Sequence, residues 1–503
     1  MRKSPEPQAL RAFSFVNLSD CGIMCPDLSL GGFQRMSDVS VVVLAAGHGK
    51  RMKSNLMKVL HPIAGKPMIG HVVDNAFRSG ANDVTVVVGY QREKVQAYLG
   101  ARVRYAVQAE QLGTGHAVLQ AAEHIDAKQG GHVLVMFGDN PFLGPDVVGR
   151  LLKRHRETGA WATLLTADVS DPARLGRVVR EPQSGQFQRI VEHKDATEEQ
   201  RQIREIWPGM VVFRREGLTD LLRRLDNNNA QGEYYLPQSF ELLLREGKRV
   251  EAALEATEFE ASGPNDRAEL AKAEELFRQR ILHRLMVESG VTIIDPKSTF
   301  IDEEVEIGQD TTIWPFTFIR GKSIIGSNCV IGPGTTIVEC KVADGVRVEQ
   351  SVIEESSVGS DCKIGPFAHL RPGCELDADV EVGNYAEMKK ARVGRGVKCH
   401  HHSYLGDVTV GERANIGAGV ITANYNGIEK FKTQIGAQAF IGTNVNLIAP
   451  ITIGDGALVA AGSTVGKDVP ADGLAVERAD LVIKEGGAAK LRARYRARKE
   501  RNQ

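Results

Sequence analysis

Two incompatible rhythms of apolar residues divide the chain. From Asp38 to about Gly263, short β-branched runs (VSVVVLAA, DVTVVVG, HVLVMFGD) end at Gly or Asp, and stretches with helical spacing such as MIGHVVDNAFRSG and AVLQAAEHI lie between them. Strands alternating with helices predict an α/β fold with a doubly wound parallel sheet, its ligands gathered at the C-terminal strand edges. Residues 266–289 contain neither Gly nor Pro and predict one long amphipathic helix joining two domains.

After Gly290 the rhythm changes to six. Ile307, Ile313, Ile319, Ile325, Ile331 and Ile337 are followed by Val346, Val352, Val358, Ile364, Leu370, Leu376, Val382 and Met388, and later by Ile435, Ile441, Leu447, Ile453, Val459 and Val465. A period of six fits no 3.6-residue helix. It predicts a β-solenoid in which short strands stack and each aliphatic residue points into a narrow prism. The period breaks by nine at 337–346 and by five at 388–393 and 405–410, and ANYNGIEKFKTQ, between Ile421 and Ile435, is too polar for a rung and reads as an excursion loop. Solenoids carry function where such loops leave the regular surface. The boundaries expected are an extension over 1–37, an α/β domain over 38–264, a linker helix over 265–290, a solenoid over 291–470 and a basic tail over 471–503.

Composition adds exclusions. Apolar residues make up 42% and charged residues 25%, with 63 basic and 63 acidic side chains. Such a balance fits a soluble protein and argues against a general nucleic-acid binder. No apolar run reaches the roughly 20 residues of a membrane span. Seven dispersed cysteines fit reduced thiols in a cytoplasm rather than a disulfide framework. The first 36 residues lack a signal peptide's apolar stretch; a start at Met36 and a disordered tail are the two readings. The LRARYRARKERNQ tail reads as a solvated, partly disordered end.

LAAGHGKRM opens the first strand-to-helix turn with glycines whose backbone N–H groups can cradle phosphate, assisted by Lys50, Arg51 and Lys58; a plain tight turn is equally compatible. Gln108 and Gln111, beside Gly113 and Thr114, suit the edge of a base or sugar. Asp139 closes a buried strand, where a carboxylate holds Mg²⁺ against phosphate or caps a helix.

Together LAAG-x-G-x-R-M, Lys58 in KVLHPIAGKPM, QAEQLGTGHA, GD-x-P, IVEHKDAT and NNNAQGEYY resemble the sugar-nucleotide pyrophosphorylase half of the GlmU family, and the hexapeptide solenoid resembles its acetyltransferase half, over roughly residues 38–480. The family makes UDP-N-acetylglucosamine. The resemblance implies that Leu44, Ala45, Ala46, Gly47, Gln108, Gln111, Gly113 and Thr114 contact uridine. Arg51 and Lys58 would face the phosphates and carry the transfer, Gly176 and Glu192 would hold the sugar, and Asp139 with Asn265 would bind Mg²⁺ and substrate. Three positions depart from the family: Trp207 and Pro208 replace an Asn-Ser/Thr pair, Pro237 and Gln238 replace Thr-Asp, and Met57 replaces a proline before the lysine. Trp207 is expected to remove a sugar-contacting amide and add bulk there.

In the solenoid, the resemblance assigns Arg371, Lys389, Tyr404, Asn415 and Lys430 to a sugar phosphate. Ala418, Asn424, Tyr425, Thr443, Ala461 and Arg478 would line an acetyl-CoA groove. Acetylating an amine needs a base, and imidazole titrates in the right range. In KCHHHSYLGD, strand alternation sends His400 and His402 one way and His401 the other, which disfavours one metal held by all three. Counting from Tyr404, the family's catalytic histidine falls on His401, with Glu387 expected to orient it. The family's solenoids are left-handed β-helices that trimerise with sites between subunits. The substrates implied are UTP, glucosamine-1-phosphate and acetyl-CoA, with no nucleic acid and no membrane span. An acetyltransferase whose N-terminal domain has altered sugar or nucleotide specificity, and a non-catalytic sugar-nucleotide sensor or scaffold, are the alternatives.

Overall fold

The structure is a computed structural model that describes residues 36, 38–172 and 175–501. Of the extension expected over residues 1–37, only Met36 lies within the described residues. Its side chain is buried in the N-terminal core, and its carbonyl accepts from the N–H of Val39 at 3.0 Å.

The N-terminal sheet has ten strands. Its order is Arg104–Val107, Val84–Val88, Val39–Ala45, His132–Phe137, Met210–Arg214, Ala162–Asp168, Glu205–Ile206, Arg177–Arg180 and Phe187–Val191, with Val250–Ala256 also paired to Ala162–Asp168. The first four strands are parallel, as expected. The remainder is largely antiparallel, so the sheet is mixed. Short connections such as the one from Arg180 to Phe187 reverse the chain without a crossover helix, which only an antiparallel partner permits. Val39–Ala45 and His132–Phe137 run side by side, and Gly138 N donates to Leu44 O at 2.9 Å. The glycine-rich turn and Asp139 therefore emerge at the same sheet edge.

The linker helix spans Arg267–Val287 and starts at Asp266, whose carboxylate accepts from the N–H groups of Ala268 and Glu269. Ala273, Phe277, Ile281, Leu282 and Leu285 form its buried stripe. Phe277 packs on Phe142 and His71 of the α/β domain, while the rest of the stripe merges with the solenoid core. One ionic cluster pins the junction. Glu303, on the first solenoid coil, lies 2.8 Å from His71 Nδ1 and within 3.7 Å of Arg78 and Arg280, and its N–H donates to Ala64 O. Burial pushes the Glu303 carboxyl up, but the contact with His71 and the charges of Lys66 and Arg78 overcome it and hold the group at about 2.

The solenoid is a left-handed parallel β-helix whose three faces carry eleven, ten and nine strands. Register stacks like on like: Ile313, Ile331, Val348, Ile364, Val382, Cys399, Ile416, Ile441 and Val459 form one inward column. The expected hexad positions are buried except Val352, which is 37% exposed because Ile353 takes the inward place. The nine-residue break expected at 337–346 is instead a series of shortened steps through Val342, Val348, Ile353 and Val358. Left-handed backbone at Glu339, Gln350 and Glu355 turns the corner one residue early in its five-residue steps. Val346 is also buried, two residues before Val348 on the same side of the strand. No helix among the described residues is long and apolar enough to cross a membrane.

Candidate functional site

Four expected residues of the α/β domain meet at one point. Lys58 Nζ donates to Asp139 Oδ2 at 2.5 Å and to Asn265 Oδ1 at 2.7 Å, and Arg51 Nη2 reaches the same Asn265 oxygen at 2.8 Å. Gly49 makes the approach possible: it has φ 62°, and a Cβ there would stand 2.4 Å from Lys58 Cβ. Asn265 is oriented by a residue the sequence reading passed over. Glu269 accepts from both the backbone N–H and Nδ2 of Asn265, at 2.7 and 3.1 Å, which turns Oδ1 towards the cations. The available signal was an acid in the first turn of a helix opened by Asp266.

Beside this point, Gln108 Nε2 donates to Gly113 O at 3.1 Å and lies 3.0 Å from His116 Nδ1. Gln111 Nε2 donates to Gln108 O, and its Oε1 faces His48 Nε2 at 3.1 Å. Gly113 passes so close to Tyr234 that a Cβ would fall 2.6 Å from its carbonyl oxygen, and Thr114 spends its hydroxyl accepting from Leu236 N. Leu44, Ala45, Ala46 and Gly47 form the end of the central strand and its turn, with Ala45 and Ala46 buried. Gly176 faces Glu192, where a Cβ would lie 3.4 Å from Oε1. Burial, and then the neighbouring carboxylates of Asp195 and Glu233, push the Glu192 carboxyl above its usual range. An open cleft of about 990 Å³ runs from Arg51 and Asn265 past Leu175 and Ile206 towards Lys272. A second, of about 500 Å³, lies between Glu192, Tyr235 and Gln238.

On the solenoid, successive coils stack Arg371, Glu387, Lys389 and Tyr404: Arg371 N donates to Met388 O, and Glu387 pairs in register with Tyr404. Arg371 Nη1 donates to Glu387 Oε1 at 2.8 Å. No hydrogen bond or ion pair joins Glu387 to His401 among the described residues, and the Glu387 partner seen is the guanidinium on the coil below. His401 ends the strand Lys398–His401; its ring is exposed and makes no hydrogen bond among the described residues. The alternation expected for the three histidines holds only in part. Cys399 is the inward residue, and His402 lies beyond the strand with left-handed backbone, φ 41°, so it does not share a strand face with His400. His400 Nε2 instead meets Glu381 Oε2 at 2.7 Å.

Ala418, Thr443, Ala461 and Arg478 form one column: Asn444 N donates to Ala418 O, Gly462 N to Thr443 O, and Arg478 Nε to Ala461 O. Asn424 is anchored to Asp407, and Tyr425 bridges to Lys430 across the excursion loop. Asn415 stacks on Lys398, on the histidine face. No hydrogen bond or ion pair among the described residues joins the side chain of Lys430 or Asn415 to the Arg371 group.

Residues 41–234 match the MobA-like NTP transferase domain, residues 295–394 the GMPPB C-terminal domain, and residues 432–467 the bacterial transferase hexapeptide (six repeats). A relative named Bifunctional protein GlmU from Symbiobacterium thermophilum is 66% identical over 466 residues, covering 92% of this chain and 99% of the relative. Relatives of the same name from Halalkalibacterium halodurans and Listeria monocytogenes are each 47% identical, over 90% and 91% of this chain and 98% and 99% of their own lengths. The chain belongs to the GlmU family.

Its departures from the GlmU pattern look different in three dimensions. Trp207 adds no bulk to an open pocket. It is 5% exposed and packs edge-on against Phe137 and Phe240, with its indole N–H donating to Met210 O at 3.0 Å. The expectation of added bulk fails because the core below the sheet absorbs the ring, while the amide is indeed absent. Pro237 begins the helix Gln238–Arg245, and Gln238 Oε1 accepts from Asp226 N, so this pair closes a loop. Met57 is fully buried at φ −57°, the angle a proline would lock, and leaves the path into Lys58 intact.

Proposed function

We propose that this GlmU-family chain is bifunctional. Its solenoid N-acetylates glucosamine-1-phosphate from acetyl-CoA, and its α/β domain then transfers uridylyl from UTP to the N-acetylglucosamine-1-phosphate so formed, releasing pyrophosphate. The observation that carries the reading is the meeting of Arg51, Lys58, Asp139 and Asn265 beside the amides of Gln108 and Gln111. A sensor or scaffold has no need for two cations and two oxygen donors converging on one point.

In uridylyl transfer a phosphate oxygen of the sugar attacks the α-phosphorus of UTP in line, and charge accumulates on the phosphoryl oxygens. Lys58 and Arg51 neutralise that charge from fixed positions, which requires no reorganisation during the step. Gly176 and Glu192 hold the sugar; Leu44, Ala45, Ala46, Gly47, Gln108, Gln111, Gly113 and Thr114 hold the uridine. Asp139 Oδ2 and Asn265 Oδ1, both within hydrogen-bond reach of Lys58 Nζ, are hard oxygen donors suited to Mg²⁺. Among the described residues no group of three or more His, Cys, Asp or Glu side chains can hold a metal, so the rest of the shell would come from phosphate and water. When bound, the ion would screen phosphate charge.

In acetyl transfer His401 takes a proton from the glucosamine amine. The nitrogen then attacks the thioester carbonyl, the C–S bond breaks, and coenzyme A leaves as the thiol. Exposure of the His401 ring, with no partner among the described residues, leaves a nitrogen free for that proton. Arg371, Lys389, Tyr404, Asn415 and Lys430 bind the sugar phosphate. Ala418, Asn424, Tyr425, Thr443, Ala461 and Arg478 line the acetyl-CoA groove. A homotrimer in the cytoplasm would bring Lys430 and Asn415 of one copy towards the Arg371 group of another, and that is the role we assign to assembly.

Two assays test the proposal: thiol release from acetyl-CoA with glucosamine-1-phosphate, and Mg²⁺-dependent pyrophosphate release from UTP with N-acetylglucosamine-1-phosphate. Absence of either product above background removes that half.

A further inference from the structure

We infer that His116 is a positioning residue that sets which nucleobase the α/β site accepts, by fixing the amide of Gln108. This rests on the uridylyl transfer proposed above and specifies how its base is chosen. Gln108 is 3% exposed, and its Nε2 has two neighbours, Gly113 O at 3.1 Å and His116 Nδ1 at 3.0 Å. A backbone carbonyl only accepts, so the end of the amide facing Gly113 is the NH₂ group. Its second hydrogen then points at His116 Nδ1, which must present a lone pair. His116 is accordingly the neutral tautomer, with its proton on Nε2.

The other side of the ring looks contradictory at first. Gln120 Nε2 lies 3.0 Å from His116 Nε2 and also donates to the His116 carbonyl at 3.2 Å. A neutral imidazole cannot accept at both nitrogens. Gln108 itself is buried, where an unmade hydrogen bond costs most, whereas Gln120 is half-exposed at the end of the helix Thr114–Gln120 and can turn its amide to water. The accepting nitrogen therefore stays with Gln108.

With both hydrogens engaged, Gln108 has only Oε1 left to offer, and that atom makes no hydrogen bond among the described residues. An acceptor at this place matches a base edge that carries an N–H, as uracil does at N3; cytosine has a bare nitrogen there. Gln111 complements it. One of its amide hydrogens goes to Gln108 O and its Oε1 faces His48, which leaves one hydrogen for a base carbonyl. Without an acceptor at Nδ1, only Gly113 O still holds the Gln108 amide, and the second hydrogen is left without a partner, so turning over to present NH₂ to the base is opposed by one hydrogen bond instead of two.

The test compares UTP and CTP as substrates for the full-length protein, its His116→Leu variant and its His116→Asn variant. An asparagine oxygen can stand where Nδ1 stands; leucine offers no acceptor. His116→Leu is expected to raise KM for UTP, leave kcat within about twofold and lower the UTP-over-CTP ratio of kcat/KM by about tenfold or more. His116→Asn is expected to restore most of that ratio. An unchanged ratio in His116→Leu, or an equal loss in His116→Asn, overturns the inference. A wild-type urea-unfolding midpoint, read from the fluorescence of Trp161 and Trp207, reports that the α/β domain of the variants is folded. Equilibrium binding of UTP and CTP reads the same preference without turnover, so a wild type that binds UTP selectively but releases no pyrophosphate would overturn the transferase reading and leave His116 to be judged on binding alone.

Discussion

Replacing Glu303 by Gln removes one negative charge from the junction of the α/β domain, the linker helix and the first solenoid coil. In the folded protein its carboxyl is held at about 2 against an ordinary 4.5, in spite of burial, by His71 and then by Lys66 and Arg78. That difference corresponds to about 3 kcal/mol of folding free energy at neutral pH. Because the folded value is depressed, the contribution is complete above about pH 4.5 and is lost as pH falls towards 2. Glu303→Gln should therefore lower stability by about 3 kcal/mol at pH 7.5, with the gap to wild type narrowing below pH 4.5. Urea unfolding followed by tryptophan fluorescence measures it, since Trp161 and Trp207 lie in the α/β domain and Trp314 in the solenoid. A double-mutant cycle pairing His71→Phe with Glu303→Leu should show coupling of about 1 kcal/mol or more. Coincident unfolding curves for wild type and Glu303→Gln at pH 7.5, or strictly additive single variants, would refute the reasoning.

Trp207→Asn, which restores the family residue, should destabilise the α/β domain by about 3 kcal/mol or more in the same unfolding experiment, because it empties a packed aromatic site. Its KM for sugar phosphate should change little by comparison. Burial pushes the Cys340 and Cys362 thiols up to about 11 and Cys399 up to about 12, and Cys329 and Cys374 are also raised. These five should resist a thiol reagent at pH 8 in the native protein and react fully in denaturant, as mapped by mass spectrometry. Lys58→Ala should lower the kcat of pyrophosphate release by about 100-fold or more while leaving acetyl transfer at the wild-type rate.

The two architectures were legible because each depends on a period. A prism with three faces has to bury a residue every six positions, and Ile307 to Ile337 keep that count without interruption. The count failed around Val352 because it cannot see a corner turned one residue early by left-handed backbone at Gln350 or Glu355. The parallel half of the sheet was legible from strand–helix alternation. The antiparallel half was not, since its strands are short and joined by loops with no helical pattern. In the site, residue type in its motif pointed to Arg51, Lys58 and Asp139, the resemblance to the GlmU family added Asn265, and the structure brings the four together. Orientation was harder to read: Glu269 behind Asn265 left only the faint signal of an acid in the first helical turn, and His116 behind Gln108 and Arg371 on Glu387 are pairings that no local pattern encodes. Trp207 misled for the same reason, because a sequence does not say which side of a strand end a ring will choose when an aromatic core lies below it.

The most direct measurement is the partition of the two activities in His401→Ala, with His400→Ala and His402→Ala alongside. If His401 is the base of acetyl transfer, His401→Ala loses thiol release from acetyl-CoA to background while pyrophosphate release from UTP stays at the wild-type rate, and the two neighbouring variants keep both. Full thiol release by His401→Ala, or equal losses from all three substitutions, would contradict it.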